Sequence, residues 1–470
     1  MAFLPQHNKR LPATLTPRAK LEVRSGDLLI TCAGPRARCG IACLVRSTRP
    51  RLLLSGKMYR FRVPTELSAE YIEAWLQSNV AQRAIDAMKT GISDCGLNLT
   101  HDKFRLLSIP IAPLRVQHCI VAEIEKQFTR LDAGIEALKR LQVHLKRYKV
   151  SVLKAACEGK LVPTEAELAR RKGRGYEPGD KLLERILKER RARWEGKRDD
   201  SGRVARRTYV EPATPNLSAD PSLPEGWCWA SVDMVGDLLL GRRRAPEYKG
   251  SGPTRPYLRV ANVKDDRLDL GDVETMDFEP THFSRYALSP GDVLLSEGQS
   301  PDRVGQSAIY SGGIPGLCFQ ATLHRFRPIL HGPSSLFAQL VFRSHVQSGV
   351  FQRLASITTN IAHLTLEKLK SARFPLPPLK EQERIVREAH RLLSHSATIE
   401  RLVEDQLRRS HGLRRSILGC AFEGKLVPQD PADEPASALL ERIRASSNSS
   451  TSSAARRPTG KNHPRRASLG

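Results

Sequence analysis

The chain has 470 residues, of which 40% are hydrophobic and 27% charged, so it is long enough for two or three domains with real cores. Its formal net charge of +26 favours a polyanionic partner, with nucleic acid ahead of an anionic membrane surface. No run of about 18 apolar residues predicts a membrane helix, and the first residues lack the apolar core of a signal peptide. Nine cysteines without a C-x-x-C pair predict a reduced, cytoplasmic chain without a zinc module.

The first part of the chain predicts a small mixed domain followed by a long helix. Residues 26–45, GDLLITCAGPRARCGIACLV, have the pattern of a strand, a polar loop and a second strand. A proline-rich strip, IPIAPLRVQHCIV, stands at 109–121, and Pro113 suits a first helical turn because its missing N–H costs nothing there. Apolar spacing then predicts a helix from about Gln117 to Cys157, which would be roughly 60 Å long.

The middle of the chain is charged and leads into a second mixed domain. Residues 164–222 predict a linker with a helical middle. After it come LPEGWCWASV at 223–232, the helix-like DMVGDLLLG at 233–241, the basic loop GRRRAPEYKG at 241–250 and the predicted strand RPYLRVANVK at 255–264. We expect Trp227 and Trp229 to fill a core rather than stack on bases, and Arg259 to order the surroundings of its strand.

A second long helical pattern follows a second proline strip, FPLPPLKEQERIV at 374–386. Its positions step four, three, four, three, the heptad of a two-helix seam: Ile385, Ala389, Leu392, Ser396, Ile399, Val403, Gln406, Ser410, Leu413, Ile417 and Cys420. The two helices are expected to pair antiparallel; the alternative is that each packs on its own globular domain. The tail at 445–470 is rich in Ser, Arg and Pro and is expected to be disordered.

An internal repeat relates the two halves. At an offset of 265 residues several identities coincide, among them Gly26-Asp27 with Gly291-Asp292, Arg38 with Arg303, Gly40 with Gly305, and EGKLVP at 158–163 with EGKLVP at 423–428. So many matches at one offset indicate a duplicated unit. Each unit has a globular part, a proline strip and a long helix.

The motifs LPEGWCW, YLRVANV, GDVLLSEG, FPLPPLKEQERIV and the doubled EGKLVP resemble the DNA specificity subunit of Type I restriction-modification systems. The resemblance implies an α+β chain with two mixed α/β target recognition domains, separated by a long antiparallel two-helix coiled coil in a pseudo-two-fold arrangement. Each domain would read half of a bipartite double-stranded DNA target, and rod length would set the unread spacer. Methyltransferase (M) subunits and the restriction/translocase (R) subunit are the implied partners.

The domain boundaries expected from this resemblance follow the repeat. They are a first target recognition domain at 1–107, a first conserved coiled-coil helix at 108–163, the charged linker with a helical segment at 164–222, a second target recognition domain at 223–372, a second conserved helix at 373–428, and a short helix with a disordered basic tail at 429–470.

One departure from the family pattern lies in the first unit. At the offset of 265, Met1 corresponds to Asp266, so residues 223–265 have no counterpart there. The expectation is a first domain truncated at its N-terminus, through a misplaced start or a fragmentary gene, with a short domain as the alternative.

Direct reading of DNA needs Arg, Lys, Asn or Gln on a defined surface. The candidates are Arg36 and Arg38 in the first unit, and Arg242, Arg243, Arg244, Lys249, Gln299, Ser300 and Arg303 in the second. Because Arg38 and Arg303 share a repeat position whereas two half sites normally differ, we expect these two to contact phosphates rather than choose bases.

The sequence offers no catalytic site. It has no G-x-x-x-x-G-K-[ST] motif and no Gly-rich turn after a strand for a nucleotide or methyl donor, and its histidines lack metal spacing. We therefore expect a non-catalytic DNA-binding adaptor without cofactor or metal. The alternative is a coiled-coil assembly scaffold, or a non-functional fragment, that binds the methyltransferase but no longer reads DNA.

Overall fold

The computed structural model describes residues 3–91, 93–196, 208–215, 222–244, 250, 252–264, 266–358 and 360–454. The chain divides into two compact units, which we call unit 1 (Met1–Arg140 with Val403–Gly470) and unit 2 (Leu141–Leu402). In the ranges that the structure describes, no helix is both long and apolar enough to cross a membrane.

The structure combines short strands with helices of very different lengths. The strands are β1 Asp27–Thr31, β2 Ala33–Gly34, β3 Ala42–Leu44, β4 Met58–Arg62, β5 Lys89–Thr90, β6 Leu97–Leu99, β7 Cys228–Ser231, β8 Gly236–Leu240, β9 Thr254–Leu258, β10 Glu274–Asp277, β11 Val293–Ser296, β12 Gly298–Gln299, β13 Ser307–Ile309, β14 Cys318–Phe319, β15 Leu323–Pro328, β16 Ser356–Thr358, β17 Ile361–His363 and β18 Arg373–Leu376. The helices are α1 Ala69–Leu76, α2 Asn79–Met88, α3 His101–Arg105, α4 Leu114–Cys157, α5 Glu165–Lys172, α6 Gly179–Glu195, α7 Val232–Val235, α8 Pro280–Tyr286, α9 Ser335–Gln347, α10 Val350–Leu354, α11 Leu366–Lys370, α12 Leu379–Phe422 and α13 Ala436–Ala454.

The predicted repeat recurs in three dimensions. β2, β3, α3 and α4 of the first half correspond to β12, β13, α11 and α12, with both ends of each element shifted by 265 residues. Unit 1 has a sheet of order β3-β1-β4, and unit 2 has the matching order β13-β11-β15, extended at β15 by β8. The mixed α/β class and the two long helices predicted from the sequence are therefore confirmed.

Each central strand packs on both of its faces. In β1, Leu28 and Ile30 are buried in the core that α1 and α2 cover, whereas Leu29 packs on the other side of the sheet with Val23 and Val45. Strands buried on both faces read as continuous apolar runs instead of alternating ones, as in DLLIT here and VLLS in β11.

Within each unit the two long helices run antiparallel. In unit 1 the Arg414 guanidinium lies over the Phe128 ring and pairs with Asp132, while Leu418 and Ile124 share a core. In unit 2 Lys149 pairs with Glu400, and further along α4 Val152 and Ala156 share a core with Ile385 and Ala389 of α12. Position numbers rise on α4 as they fall on α12, so the predicted antiparallel pairing is confirmed inside both units.

The predicted heptad seam is narrower than the sequence pattern. Ser396, Val403 and Ser410 are buried at seven-residue spacing, whereas Ile399 is 41% and Leu413 51% exposed. Gln406 is exposed as well. In the middle of α12 one row therefore forms the seam, whereas near the start of the helix the second row is also covered, since Ile385 is fully buried and Leu392 packs on the core of unit 2.

Two local predictions around the middle of the chain are corrected by the structure, and a third segment packs more closely than a linker would. The helix-like stretch 233–241 is helical only in α7 and continues as β8, because its leucines pair with β15. The predicted strand 255–264 ends with β9, since the Asn262 side chain accepts from the Arg259 N–H and starts a 3-10 turn. The segment at 164–222 is expected to be a charged linker with a helical middle; its helix α6 has Leu182 and Ile186 fully buried in the core of unit 2.

The structure describes the C-terminal region as far as Ala454. α13 is the expected short helix after the second EGKLVP motif, although it reaches Ala454. Of the tail at 445–470 that is expected to be disordered, residues 445–454 belong to α13, and residues 455–470 lie outside the described residues.

Candidate nucleic-acid interface

A tight turn between β12 and β13 presents Arg303 to solvent in unit 2. The N–H groups of Arg303 and Val304 both donate to the Ser300 carbonyl, and the Gly305 N–H donates to the Ser296 carbonyl at 3.0 Å. Gly305 has φ +79°, and a Cβ there would lie 2.3 Å from Cδ2 of Phe351, so only glycine fits. The turn is thereby fixed against the core, and the Arg303 side chain is 62% exposed.

The neighbouring carboxylate does little to neutralise Arg303. Asp302 lies 3.8 Å from the guanidinium and is 77% exposed, so solvent screens the pair. Hydrogen bonding from the Ser300 side chain and from the backbone lowers the pKa of Asp302. The Arg303 donors therefore remain available to an external anion.

Unit 1 repeats this turn around Arg38. The N–H groups of Arg38 and Cys39 donate to the Pro35 carbonyl, and the Gly40 N–H donates to the Thr31 carbonyl at 2.7 Å. Gly40 has φ +82°, and a Cβ there would lie 2.4 Å from the Ile85 side chain. Arg38 is exposed, so the same backbone device presents an arginine in both units.

Arg36, two residues earlier, is held in a different environment. Its guanidinium donates to Asp94 at 3.0 Å and to Asp86 at 2.9 Å, and these hydrogen bonds raise the pKa of the Arg36 side chain. Lys89 also binds Asp86. Because two carboxylates already occupy its donors, Arg36 is a weaker candidate for DNA contact than Arg38.

The basic side chains of the predicted loop at 241–250 lie in different environments. Arg242 is only 5% exposed, lies over the Phe278 ring and stands 3.8 Å from Glu279, which removes it from the surface that could touch DNA. Arg244 is 65% exposed and pairs with Glu274 at 3.2 Å. Arg243 is exposed, and Lys249 lies outside the described residues.

Gln299 and Ser300 begin the turn but are half-buried. The Gln299 side-chain oxygen accepts from the Ser300 N–H at 3.4 Å, so its amide is partly used inside the turn. The side chains of Gln299 and Ser300 therefore help to hold the turn in place and project little into solvent. Arg259, expected to order its surroundings, bridges Asp272 at 2.8 Å and Glu274 at 2.9 Å.

A hairpin that sequence analysis missed lies beside this turn. β16 and β17 pair antiparallel, and β17 also pairs with β12, so the sheet order is β12-β17-β16. Ile357 and Ile361 of this hairpin are 52% and 50% exposed. The β-branched residues Ile357, Thr358 and Thr359, followed by Asn360 and Ile361, were the available signal, but a run of three residues is too short to distinguish from a loop.

Arginine donors next to an exposed β-branched hairpin are suited to duplex DNA. Guanidinium groups bind phosphate oxygens or guanine edges, and exposed methyl groups can contact the thymine methyl in the major groove. Within the described ranges, no cluster of three or more His, Cys, Asp or Glu side chains could hold a metal ion.

Comparison with known proteins points to one family. Residues 235–408 match the family described as the Type I restriction modification DNA specificity domain. The chain is 24% identical over 396 residues to the Type I restriction enzyme EcoKI specificity subunit of Escherichia coli K12, covering 80% of this chain and 71% of that protein. It is 33% identical over 149 residues to the EcoEI specificity subunit of Escherichia coli, which is 31% of this chain and 25% of that protein.

Solved structures share the fold. The HsdS subunit from Thermoanaerobacter tengcongensis aligns with a TM-score of 0.51 at 19% identity, covering 86% of this chain and 82% of that one. A chain from a structural study of complex assembly and conformational transition of the type I R-M system aligns with a TM-score of 0.55 at 19% identity, covering 86% and 83%.

Proposed function

This chain belongs to the family of Type I restriction-modification specificity subunits, and we propose that it recognises the DNA target of such a system without itself catalysing a reaction. The observation that carries the proposal is the turn around Arg38 and Arg303, which is built twice with the same backbone hydrogen bonds and the same core-locked glycine. A turn that is repeated in both units fits a DNA target that consists of two half sites.

The two units would each read one half of a bipartite double-stranded site. Arg38 and Arg303 would hold phosphates and set the register on the duplex, because a contact shared by both units cannot encode two different half sites. Base choice in unit 2 would fall to the exposed Arg243 and Arg244 and to the hairpin β16–β17. Lys249 stays a candidate on the same loop.

Partners follow from the same family membership. Methyltransferase subunits would act on the recognised site, and a restriction and translocase subunit would join them. Both would meet this chain in the cytoplasm.

The second candidate function, an assembly scaffold without specific DNA reading, is favoured by one observation. Residues 9–12 of unit 1, at the repeat positions of β10, form no strand in the part of the chain that the structure describes. Under this alternative the chain would bind the methyltransferase while unit 1 contributes no base contacts.

Selection from a randomised duplex library distinguishes the two candidates. The full chain would be assembled with its methyltransferase partner, and the retained DNA sequenced. Two conserved blocks at a fixed separation are expected from a bipartite reader. A single block would mean that only unit 2 reads DNA, and retention without any enriched sequence would favour the scaffold.

A further inference from the structure

In unit 2 one carboxylate joins two arginines and a buried tyrosine beside the basic loop at 241–250. Glu274 of β10 lies opposite Tyr257 of β9 in an antiparallel pair, so the two side chains share one face of the sheet. The Tyr257 hydroxyl donates to Glu274 Oε2 at 2.6 Å, and Tyr257 itself is fully buried. The position of the Glu274 carboxylate is therefore fixed from inside the core.

Both oxygens of this carboxylate also accept from arginine side chains. Arg259 Nε donates to Oε1 at 2.9 Å, and Arg244 Nη1 donates to Oε2 at 3.2 Å. The same Arg244 nitrogen lies 3.4 Å from the Tyr257 hydroxyl. The hydrogen bond from Tyr257 and the charges of the two arginines lower the pKa of Glu274, so this acceptor is ionised at neutral pH.

The two arginines differ in the donors that they have left. Arg259 uses Nε for Glu274 and Nη2 for Asp272, so its paired donors are occupied inside the protein. Arg244 is held through Nη1, and its Nε and Nη2 have no hydrogen-bond or ion-pair partner within the ranges that the structure describes. Its side chain is 65% exposed. Arg244 is thus oriented through one nitrogen and presents two neighbouring donors to solvent.

The backbone that leads to Arg244 is held by a neighbouring strand. The Arg242 N–H donates to the Phe319 carbonyl at 3.0 Å. A Cβ on Gly241 would lie 2.1 Å from the Gln320 carbonyl oxygen, so only glycine allows this close approach. Arg244 therefore follows a fixed point of the backbone by two residues.

The charge of this cluster separates its role from that of Arg303. Arg244 and Arg259 are positive and both pair with carboxylates, of Glu274 and Asp272, so the cluster of four side chains has no net charge. A neutral cluster attracts phosphate weakly, but the direction of its remaining donors is unaffected. Two neighbouring N–H donors match the O6 and N7 acceptors of guanine in the major groove, and donors that are already oriented lose less freedom on binding.

We propose that Arg244 is a guanine-reading residue of unit 2 and that Glu274 and Tyr257 are the residues that position it. Nε and Nη2 would donate to one guanine edge in the major groove, while Nη1 stays on the Glu274 carboxylate. The inference rests on the proposed function and goes further, because it names the base and the donors that select it. Arg303 and Arg244 thereby take different roles in one unit, the first on the DNA backbone and the second on a base pair.

The test compares the base preferences of variants of the full chain, each assembled with its methyltransferase partner. Duplexes selected by the wild-type complex define the target, and competition binding at each position then measures the preference for guanine. Arg244→Ala and Arg244→Lys should each lower this preference about tenfold or more at one base pair, because lysine keeps the charge but lacks the paired donors. Preferences at all other positions should stay as in the wild type. Melting temperatures verify that each variant is folded.

Two further variants test the positioning role. Glu274→Gln keeps the size of the side chain and removes its charge, so the guanine preference should fall at the same base pair as in Arg244→Ala. The double variant should lose no more than Arg244→Ala, because Glu274 acts through Arg244. Arg303→Ala, in contrast, should weaken binding to all duplexes alike and leave each base preference unchanged.

The outcomes separate this inference from the proposed function. A wild-type guanine preference in Arg244→Lys, or a loss of preference spread over all positions, would overturn the inference while the proposed function stands. A double variant with a clearly larger loss than Arg244→Ala would overturn the positioning role of Glu274. Selection of no conserved sequence by the wild-type complex would overturn the proposed function and the inference together.

Discussion

Replacing Arg38 with alanine should weaken DNA binding by the assembled complex for target and non-target duplexes alike. The side chain is exposed on a turn that Gly40 locks to the core, so the variant loses a charge without losing the fold. Each phosphate contact contributes about 0.9 to the slope of log K against log salt. The slope should therefore fall by about 0.9, and the ratio of wild-type to variant affinity should shrink by about 3.5-fold between 50 and 200 mM salt.

Arg36→Ala is the matched control in the same loop. Arg36 already donates to Asp86 and Asp94, so it should hold no phosphate, and its loss should leave the slope unchanged. Affinity can still fall in this variant, because two carboxylates lose their partner. The slope is therefore the quantity that discriminates between the two arginines.

Titrations of a fluorescent duplex at four or more salt concentrations supply the slopes. Arg303→Ala should behave like Arg38→Ala, because its contact with Asp302 is long and exposed. An unchanged slope for Arg38→Ala, or a changed sequence preference at constant slope, would refute the phosphate role and reassign the residue to base reading.

Two further predictions concern unit 2. Trp227→Phe strips the Glu381 carboxylate of one hydrogen bond and should cost about 1.5–3 kcal/mol at pH 7. Burial raises the pKa of Glu381. The contribution of this carboxyl group to stability is therefore fully present below the ordinary carboxyl pKa and is lost as pH rises through the raised pKa. Urea unfolding should show a smaller loss of stability for Trp227→Phe at acidic pH than at pH 7, and equal losses at the two pH values would contradict the argument. Gly305→Ala should lower the free energy of unfolding by at least about 2 kcal/mol, through left-handed backbone strain and the clash with Phe351. Gly291→Ala should lower it less, because its φ is also positive but its Cβ would meet only ordinary contacts. Similar melting temperatures for the two variants would count against a turn locked to the core.

Periodicity and repetition made much of the architecture predictable. Proline at the start, glycine at the end and apolar residues at helical spacing act within one segment, so they specify α4 and α12 without knowledge of the rest of the chain. The offset of 265 residues likewise follows from the sequence alone, and it places Arg38 and Arg303 at the same repeat position. The short helix and strand near residues 232–240 could not be predicted from local spacing, because pairing with β15 decides their conformation.

The sequence by itself determined the duplicated plan, the two long helices and the excess of positive charge, because these are properties of local spacing and composition. Only the tertiary structure decided which charges are available. It buried Arg242 over Phe278, tied Arg36 to two carboxylates and left Arg38 and Arg303 exposed. It also packed Pro224 and Trp227 against Gly159 at the end of α4. The reason is physical: the state of a charged group or a groove depends on neighbours from distant parts of the chain, and spacing along one segment does not encode them.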